Sequence, residues 1–168
     1  MKRKRQRAST VGARDEGAAR EKCLRLLGLR ARSAAELRLR LRTEGFPDSV
    51  VESVLSDLES AKLVDDEEFA RAWVASRQAS AAAGRQKLRW ELRRKGIAEE
   101  LIRQVVEDGI DDEAELEHAV ALARGRTRGE RPDAKARTRL RRWLLGRGFE
   151  FGTVDTVLRR ISERDEHS

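Results

Sequence analysis

The sequence predicts an all-α protein made of three tandem three-helix repeats in an elongated, curved array. Composition is the first reason: 12 Gly and 2 Pro among 168 residues are too few for a turn-rich β fold. The second is an internal repeat of about 51 residues, a period typical of repeat architectures. The third is the helical spacing of apolar residues within each repeat.

Three glycine corners mark the repeat: Gly45-Phe46, Gly96-Ile97 and Gly148-Phe149. A leucine pair spaced i, i+4 precedes each corner, and a Val/Leu/Ile segment follows it. The paired leucines are Leu37 and Leu41, Leu88 and Leu92, and Leu140 and Leu144. We expect each glycine to end one helix in the left-handed conformation, with the following apolar residue packed back on that helix.

An apolar stripe upstream of each leucine pair predicts a further helix, which gives three helices in every repeat. The expected helices span residues 18–29, 33–44, 48–61, 66–80, 85–95, 98–107, 112–126, 133–147 and 152–162. We expect repeats over 18–64, 65–109 and 110–162, a basic disordered tail over 1–17, and a frayed end over 163–168. A unit of about 50 residues buries little surface alone, so neighbouring repeats should share their cores.

Residues that would support catalysis or cofactor binding are sparse. The single Cys23 lies on an apolar stripe and is expected to be buried, the two His residues are isolated, and no glycine-rich phosphate loop is present. Asp65 to Glu68 resemble helix-capping acids more than a metal cluster. The sequence therefore predicts a cytoplasmic, monomeric, noncatalytic protein without cofactor, metal or membrane span.

Arginines spaced by four follow the leucines of each second helix, and like charges at this spacing destabilise an isolated helix. The arginines at this spacing are Arg38, Arg42, Arg85, Arg89, Arg93, Arg137 and Arg141. With the adjacent Arg94, Lys95 and Arg142 they make up the candidate contact residues. Acidic segments lie between them: residues 48–68 hold eight acids and one Lys. Two interpretations stay open: acidic helices neutralise the basic ones, or the basic helices bind phosphates or an acidic protein groove.

The three tryptophans have two possible roles, core packing or stacking on nucleic-acid bases. Trp73 and Trp143 neighbour apolar residues and are expected in the core. Trp90 lies out of line with Leu88 and Leu92, so its role is open.

The chain resembles the RecX regulatory proteins, modulators of the bacterial RecA recombinase. The resemblance is carried by Leu63 to Ala70, Gly84-Arg85, Leu88-Arg89, Glu91 to Ile97, Leu144 to Phe149 and Val157-Leu158. It implies three tandem three-helix repeats and binding along the groove of a RecA filament on DNA. It also implies inhibition of RecA's ATP hydrolysis, strand exchange and coprotease activity, and hence modulation of recombination, DNA repair and the SOS response.

Direct DNA binding without RecA is the alternative function, because helical modules rich in Arg also bind DNA. For a RecA regulator, any DNA contact is weak or occurs within the filament. For a direct DNA-binding protein, DNA binding is tight without RecA and falls steeply as the salt concentration rises.

Overall fold

The computed structural model describes the backbone of residues 2–80 and 83–163 and the side chains of 15–79 and 83–163. Within those ranges the chain forms nine helices and no strand, in agreement with the predicted all-α class. The helices are α1 (Lys2–Leu29), α2 (Ala34–Thr43), α3 (Asp48–Ser60), α4 (Asp66–Ser80), α5 (Arg85–Arg94), α6 (Glu99–Ile102), α7 (Asp112–Thr127), α8 (Ala134–Gly146) and α9 (Phe151–Glu163). A π-helical turn, Arg103–Glu107, extends α6.

The first helix is the one large departure from the sequence prediction. We expected a helix from residue 18 after a disordered tail, whereas the backbone is helical from Lys2. Lys, Arg, Gln and Ala favour helix even where no apolar stripe is present, so the backbone can continue the helix that packs from Ala19 onward. The frayed end expected over 163–168 lies outside the described residues from 164 on.

The glycine corners are confirmed, since Gly45, Gly96 and Gly148 all have positive φ, at 87°, 74° and 85°. At the first corner the Gly45 N–H donates to Arg42 O (3.0 Å) and the Phe46 N–H to Leu41 O (3.2 Å). This pair of bonds satisfies the last carbonyls of α2 and turns the chain into α3. The third corner has the same two bonds, from Gly148 to Leu145 O (2.9 Å) and from Phe149 to Leu144 O (3.3 Å).

The described chain divides into two compact units. One comprises the residues up to 69 together with 95–97, and the other comprises 70–94 and 98–163. The predicted leucine pairs and the Val/Leu/Ile segments are buried in these units, which confirms them as core residues. Cys23 is buried as well, and burial raises the pKa of its thiol.

Two clusters hold the apolar side chains of the first and third repeats. In the first unit α1, α2 and α3 surround Leu37, Leu41 and Leu58. In the second unit α7, α8 and α9 surround Leu144 and Phe149. Each cluster has the three-helix composition that the repeat predicts.

Hydrogen bonds join two glycine corners to the start of a second helix. The Gly84 N–H donates to Arg147 O (2.9 Å) and the Gln86 N–H to Gly148 O (3.1 Å) within the second unit. In the first unit the Ser33 hydroxyl, which caps α2, donates to Lys95 O (2.5 Å). In both places a corner docks against the beginning of the second helix of the preceding repeat.

Candidate interaction surface

The basic residues of α2 are paired with acids of α3. Arg38 makes a two-pronged contact with Glu52, with distances of 2.8 and 3.0 Å from its Nε and Nη2 to the two carboxylate oxygens. Arg42 lies 2.9 Å from Asp48 and 3.4 Å from Glu52. The like charges of α2 are therefore compensated within the first unit. The hydrogen bond from Arg38 in turn lowers the pKa of the Glu52 carboxyl.

The candidate residues of α5 are also engaged, and two of them hold helices together. Arg89 contacts Glu107 and Glu150, each at 2.8 Å, and its side chain is only 25% exposed. Arg85 is 12% exposed and donates to Asp112 (2.5 Å) and to the Ile110 carbonyl.

Arg93 and Lys95 complete the engaged group. Arg93 pairs with Glu99 on the surface, with one contact at 2.9 Å. Lys95 lies 2.8 Å from Glu36, which Arg30 also contacts at 3.1 Å. Partial burial alone would raise the pKa of the Glu36 carboxyl, but hydrogen bonds from these two cations lower it to about 2.

Helix α8 differs from α2 and α5 because most of its cations lack a carboxylate partner. Arg141 pairs with Asp155 at 2.9 Å. Within the described part of the chain, no ion pair engages the other four basic residues of α8, all of them exposed. These are Lys135, Arg137, Arg139 and Arg142.

The connection from α7 to α8 adds further cations. A groove there is lined by Arg126, Arg131 and Arg139, and the guanidinium of Arg126 also lies 4.8 Å from the centre of the Trp143 ring. Two acids, Glu130 and Asp133, lie in the same groove. The Asp133 carboxylate is occupied in capping α8, where it accepts the Ala136 N–H at 2.6 Å.

Sequence reasoning missed Lys135 and the three groove arginines, because it followed the residues beside the paired leucines. The signal that could have found them is local charge. Residues 122–147 contain ten Lys and Arg and only two acids.

The ten candidate residues therefore fall into two groups. Arg94, Arg137 and Arg142 are exposed, and no carboxylate pairs with them in the described part of the chain. The remaining seven, in α2, α5, α8 and the residue after α5, form ion pairs within their own unit. Neighbouring acids thus neutralise much of the basic pattern, and most of the exceptions lie on α8.

The tryptophans also fall into two groups. Trp73 is partly buried and its indole N–H donates to Glu91 at 2.9 Å, while Trp143 packs against the third-repeat core. Trp90 is 54% exposed.

Two kinds of site are absent from the described residues. No group of three or more His, Cys, Asp or Glu side chains lies close enough there to hold a metal ion. Among the same residues no helix has the length and apolar character needed to cross a bilayer.

Comparison with known proteins identifies the family. Models of the first, second and third three-helix domains of RecX match residues 19–58, 65–106 and 113–158. The regulatory protein RecX of Mycolicibacterium smegmatis is 41% identical over 140 residues, covering 80% of this chain and 74% of the relative. That of Mycolicibacterium vanbaalenii is 42% identical over 158 residues, covering 87% and 85%.

Solved structures give the same fold. The crystal structure of RecX from Lactobacillus salivarius superposes with a TM-score of 0.79 at 20% identity, covering 89% of this chain and 97% of the other. A second crystal structure of a regulatory protein RecX has a TM-score of 0.78 at 24% identity, with coverage of 92% and 76%. The three matched domains and the two close relatives together show that this chain belongs to the RecX family of regulatory proteins.

Proposed function

We propose that this chain is a noncatalytic regulator that binds the RecA–DNA filament and inhibits RecA. The activities affected are RecA's ATP hydrolysis, strand exchange and coprotease activity, so the chain modulates recombination and DNA repair in the cytoplasm. Membership in the RecX regulatory family supports this proposal. ATP is then the substrate of RecA, and the chain acts only by binding.

The single observation that carries the proposal is the uncompensated charge of α8. Four exposed cations on one short helix repel one another, and no ion pair in the described residues engages them. An anionic partner would relieve this repulsion and gain the attraction of several charges at once. A filament of protein on DNA offers both phosphates and acidic side chains.

The candidate contact residues can be ranked by whether each one already forms an ion pair within the chain. Arg94, Arg137 and Arg142 can meet a partner without breaking any ion pair, so we propose them as the leading contacts. Arg42, Arg93 and Arg141 are about half exposed, and each would exchange a weak surface ion pair for a contact with the partner. Arg85 and Arg89 are mostly covered and serve the fold instead.

Repetition supports binding to a filament in particular. Three similar modules in one chain can contact successive identical subunits, and linked weak contacts add as avidity. Such binding can be tight although each module binds weakly.

The test is RecA's DNA-dependent ATP hydrolysis, titrated with the full chain and with the double variant Arg137→Gln/Arg142→Gln. We expect the variant to need about tenfold more protein for half inhibition, equivalent to about 1.4 kcal/mol for two lost contacts. The matched control is Arg25→Gln/Arg159→Gln, which removes two exposed charges elsewhere and should inhibit like the unmodified chain. Equal inhibition by all three proteins would refute the assignment to α8, and no inhibition by any would refute the proposed function.

Direct DNA binding without RecA remains the second candidate, because the same α8 cations suit phosphates of free DNA. A DNA titration without RecA, at the same near-physiological salt, separates the two. Inhibition at protein concentrations too low to occupy bare DNA supports the filament regulator. Tight DNA binding without inhibition supports the alternative.

A further inference from the structure

Trp90 has no evident role in folding. It lies on α5, whose core-facing residues Leu88 and Leu92 are fully buried, yet its own side chain is 54% exposed. An exposed indole gives up the stabilisation that burying a large aromatic side chain would provide.

Arg94 places a positive charge over the Trp90 ring. It follows one helical turn later, and its guanidinium carbon lies 4.7 Å from the centre of the indole ring. Arg94 is exposed, and no carboxylate pairs with it among the described residues. The stacked pair therefore offers both an aromatic surface and a free positive charge.

Further cations lie on α5 next to this pair. Lys87, three residues before Trp90, also lacks a carboxylate partner in the described part of the chain. The acids that contact neighbouring arginines of α5 are engaged in ion pairs: Glu99 pairs with Arg93, and Glu107 and Glu150 pair with Arg89. The acid of α5 itself, Glu91, is buried and points inward to Trp73 and Arg77.

This composition favours a nucleobase over a protein partner. An aromatic anchor at a protein interface is normally ringed by other apolar contacts. Within the described residues of the second unit, the only other large apolar side chain with high exposure is Phe151, at the start of α9. Aromatic faces flanked by Arg and Lys are typical of single-strand binding sites, where bases stack and cations hold the backbone.

We propose that Trp90 and Arg94 form a stacking site for an unpaired base of a nucleic-acid single strand, with Lys87 holding an adjacent phosphate. A base within a duplex is already stacked on both faces, so the site selects single strands. The inference deepens the proposed function, because it names the unpaired strand as the part of the filament that this helix contacts. It is tested without RecA, so that its failure leaves the inhibition experiment unaffected.

The experiment is equilibrium binding of the full chain to a labelled oligothymidine single strand and to a duplex of equal length. We expect Trp90→Ala to weaken single-strand binding by about 5-fold to 150-fold, which is the effect of losing one stacking contact between a base and an aromatic side chain. Trp90→Phe, which keeps an aromatic face, should stay within about threefold of the unmodified chain. Duplex affinity should not change.

Salt dependence gives a second readout. Trp90→Ala removes no charge, so the slope of affinity against salt concentration should stay the same, whereas Lys87→Gln, which removes the proposed phosphate contact, should reduce it by about 0.7. Leu39→Ala is the matched control, since Leu39 occupies the equivalent position of α2, is 69% exposed, and should leave binding unchanged. Unfolding monitored by circular dichroism checks that the exposed substitutions leave the fold intact.

Single-strand binding by Trp90→Ala equal to that of the unmodified chain would overturn the proposal. If RecA inhibition were lost in the same variant, Trp90 would be a protein contact.

Discussion

Replacing Gly148 by Ala tests the contact between the third glycine corner and the start of α5. An added Cβ at this position would lie 2.4 Å from the backbone nitrogen of Lys87, about 1 Å inside normal contact. Backbone atoms cannot rotate away as a side chain can, so the corner must move. That movement would disrupt the hydrogen bonds from Gly84 to Arg147 O (2.9 Å) and from Gln86 to Gly148 O (3.1 Å).

The size of the effect follows from two contributions. Holding Ala at a φ of +85° costs about 1 kcal/mol. Loss of two hydrogen bonds costs about 2 kcal/mol more, at roughly 1 kcal/mol each. For a chain of this length, a total of about 3 kcal/mol lowers the midpoint of thermal unfolding by about 6–12 °C.

Two matched variants separate these contributions. Gly45→Ala has the same left-handed backbone, with φ at +87°, but its Cβ would meet nothing within 4 Å. It should cost only about 1 kcal/mol, or about 2–4 °C. Gly84→Ala has no positive φ but would place its Cβ 2.4 Å from Gly148 O, so it should cost about 2 kcal/mol.

The assay is thermal unfolding of the full chain, followed by far-UV circular dichroism. The reasoning requires Gly148→Ala to be the most destabilised of the three variants. If Gly148→Ala loses no more stability than Gly45→Ala, the close contact between corner and helix is refuted.

Three further predictions concern charge. The folded-state pKa of Glu36 is about 2, against an ordinary value of 4.5, so the stability that its ionised carboxylate provides is complete above pH 4.5 and is lost as pH falls toward 2. In urea unfolding, Glu36→Gln should therefore be less stable than the unmodified chain at pH 6 and equally stable near pH 2. Arg89→Met breaks two partly buried ion pairs and should cost about 1–2 kcal/mol by urea unfolding, whereas Arg93→Met, which loses one exposed pair, should cost clearly less; equal costs would show that burial does not distinguish them. Arg142→Gln should lower the slope of single-strand affinity against salt concentration by about 0.7, while Arg159→Gln should leave it unchanged. A reduction by both variants would mean that net charge matters and the position of the arginine does not.

Much of the fold could be predicted from the sequence because local rules determine it. The glycine corners, the leucine pairs and the helix lengths follow from φ preferences and from a period of 3.6 residues. The helix predicted over 66–80 coincides with α4, and most other helix ends differ by one residue. The exception is α1, whose extension to Lys2 has no apolar periodicity to reveal it.

The candidate surface could be predicted only in part. The sequence places arginines on the second helix of each repeat, but it does not tell which of them face acids. Arg89 and Glu150 are 61 residues apart, and they meet only because packing brings α5 against the start of α9.

The sequence by itself determined the all-α class, the threefold repeat and the family resemblance, because these depend on spacing and composition along the chain. Tertiary structure decided which charges are neutralised, since an ion pair depends on distance in space. It placed acids beside Arg38 and Arg89 while leaving Arg94, Arg137 and Arg142 without carboxylate partners among the described residues. It also decided the exposure of Trp90, because burial depends on what packs over a helix face as well as on the period of that helix.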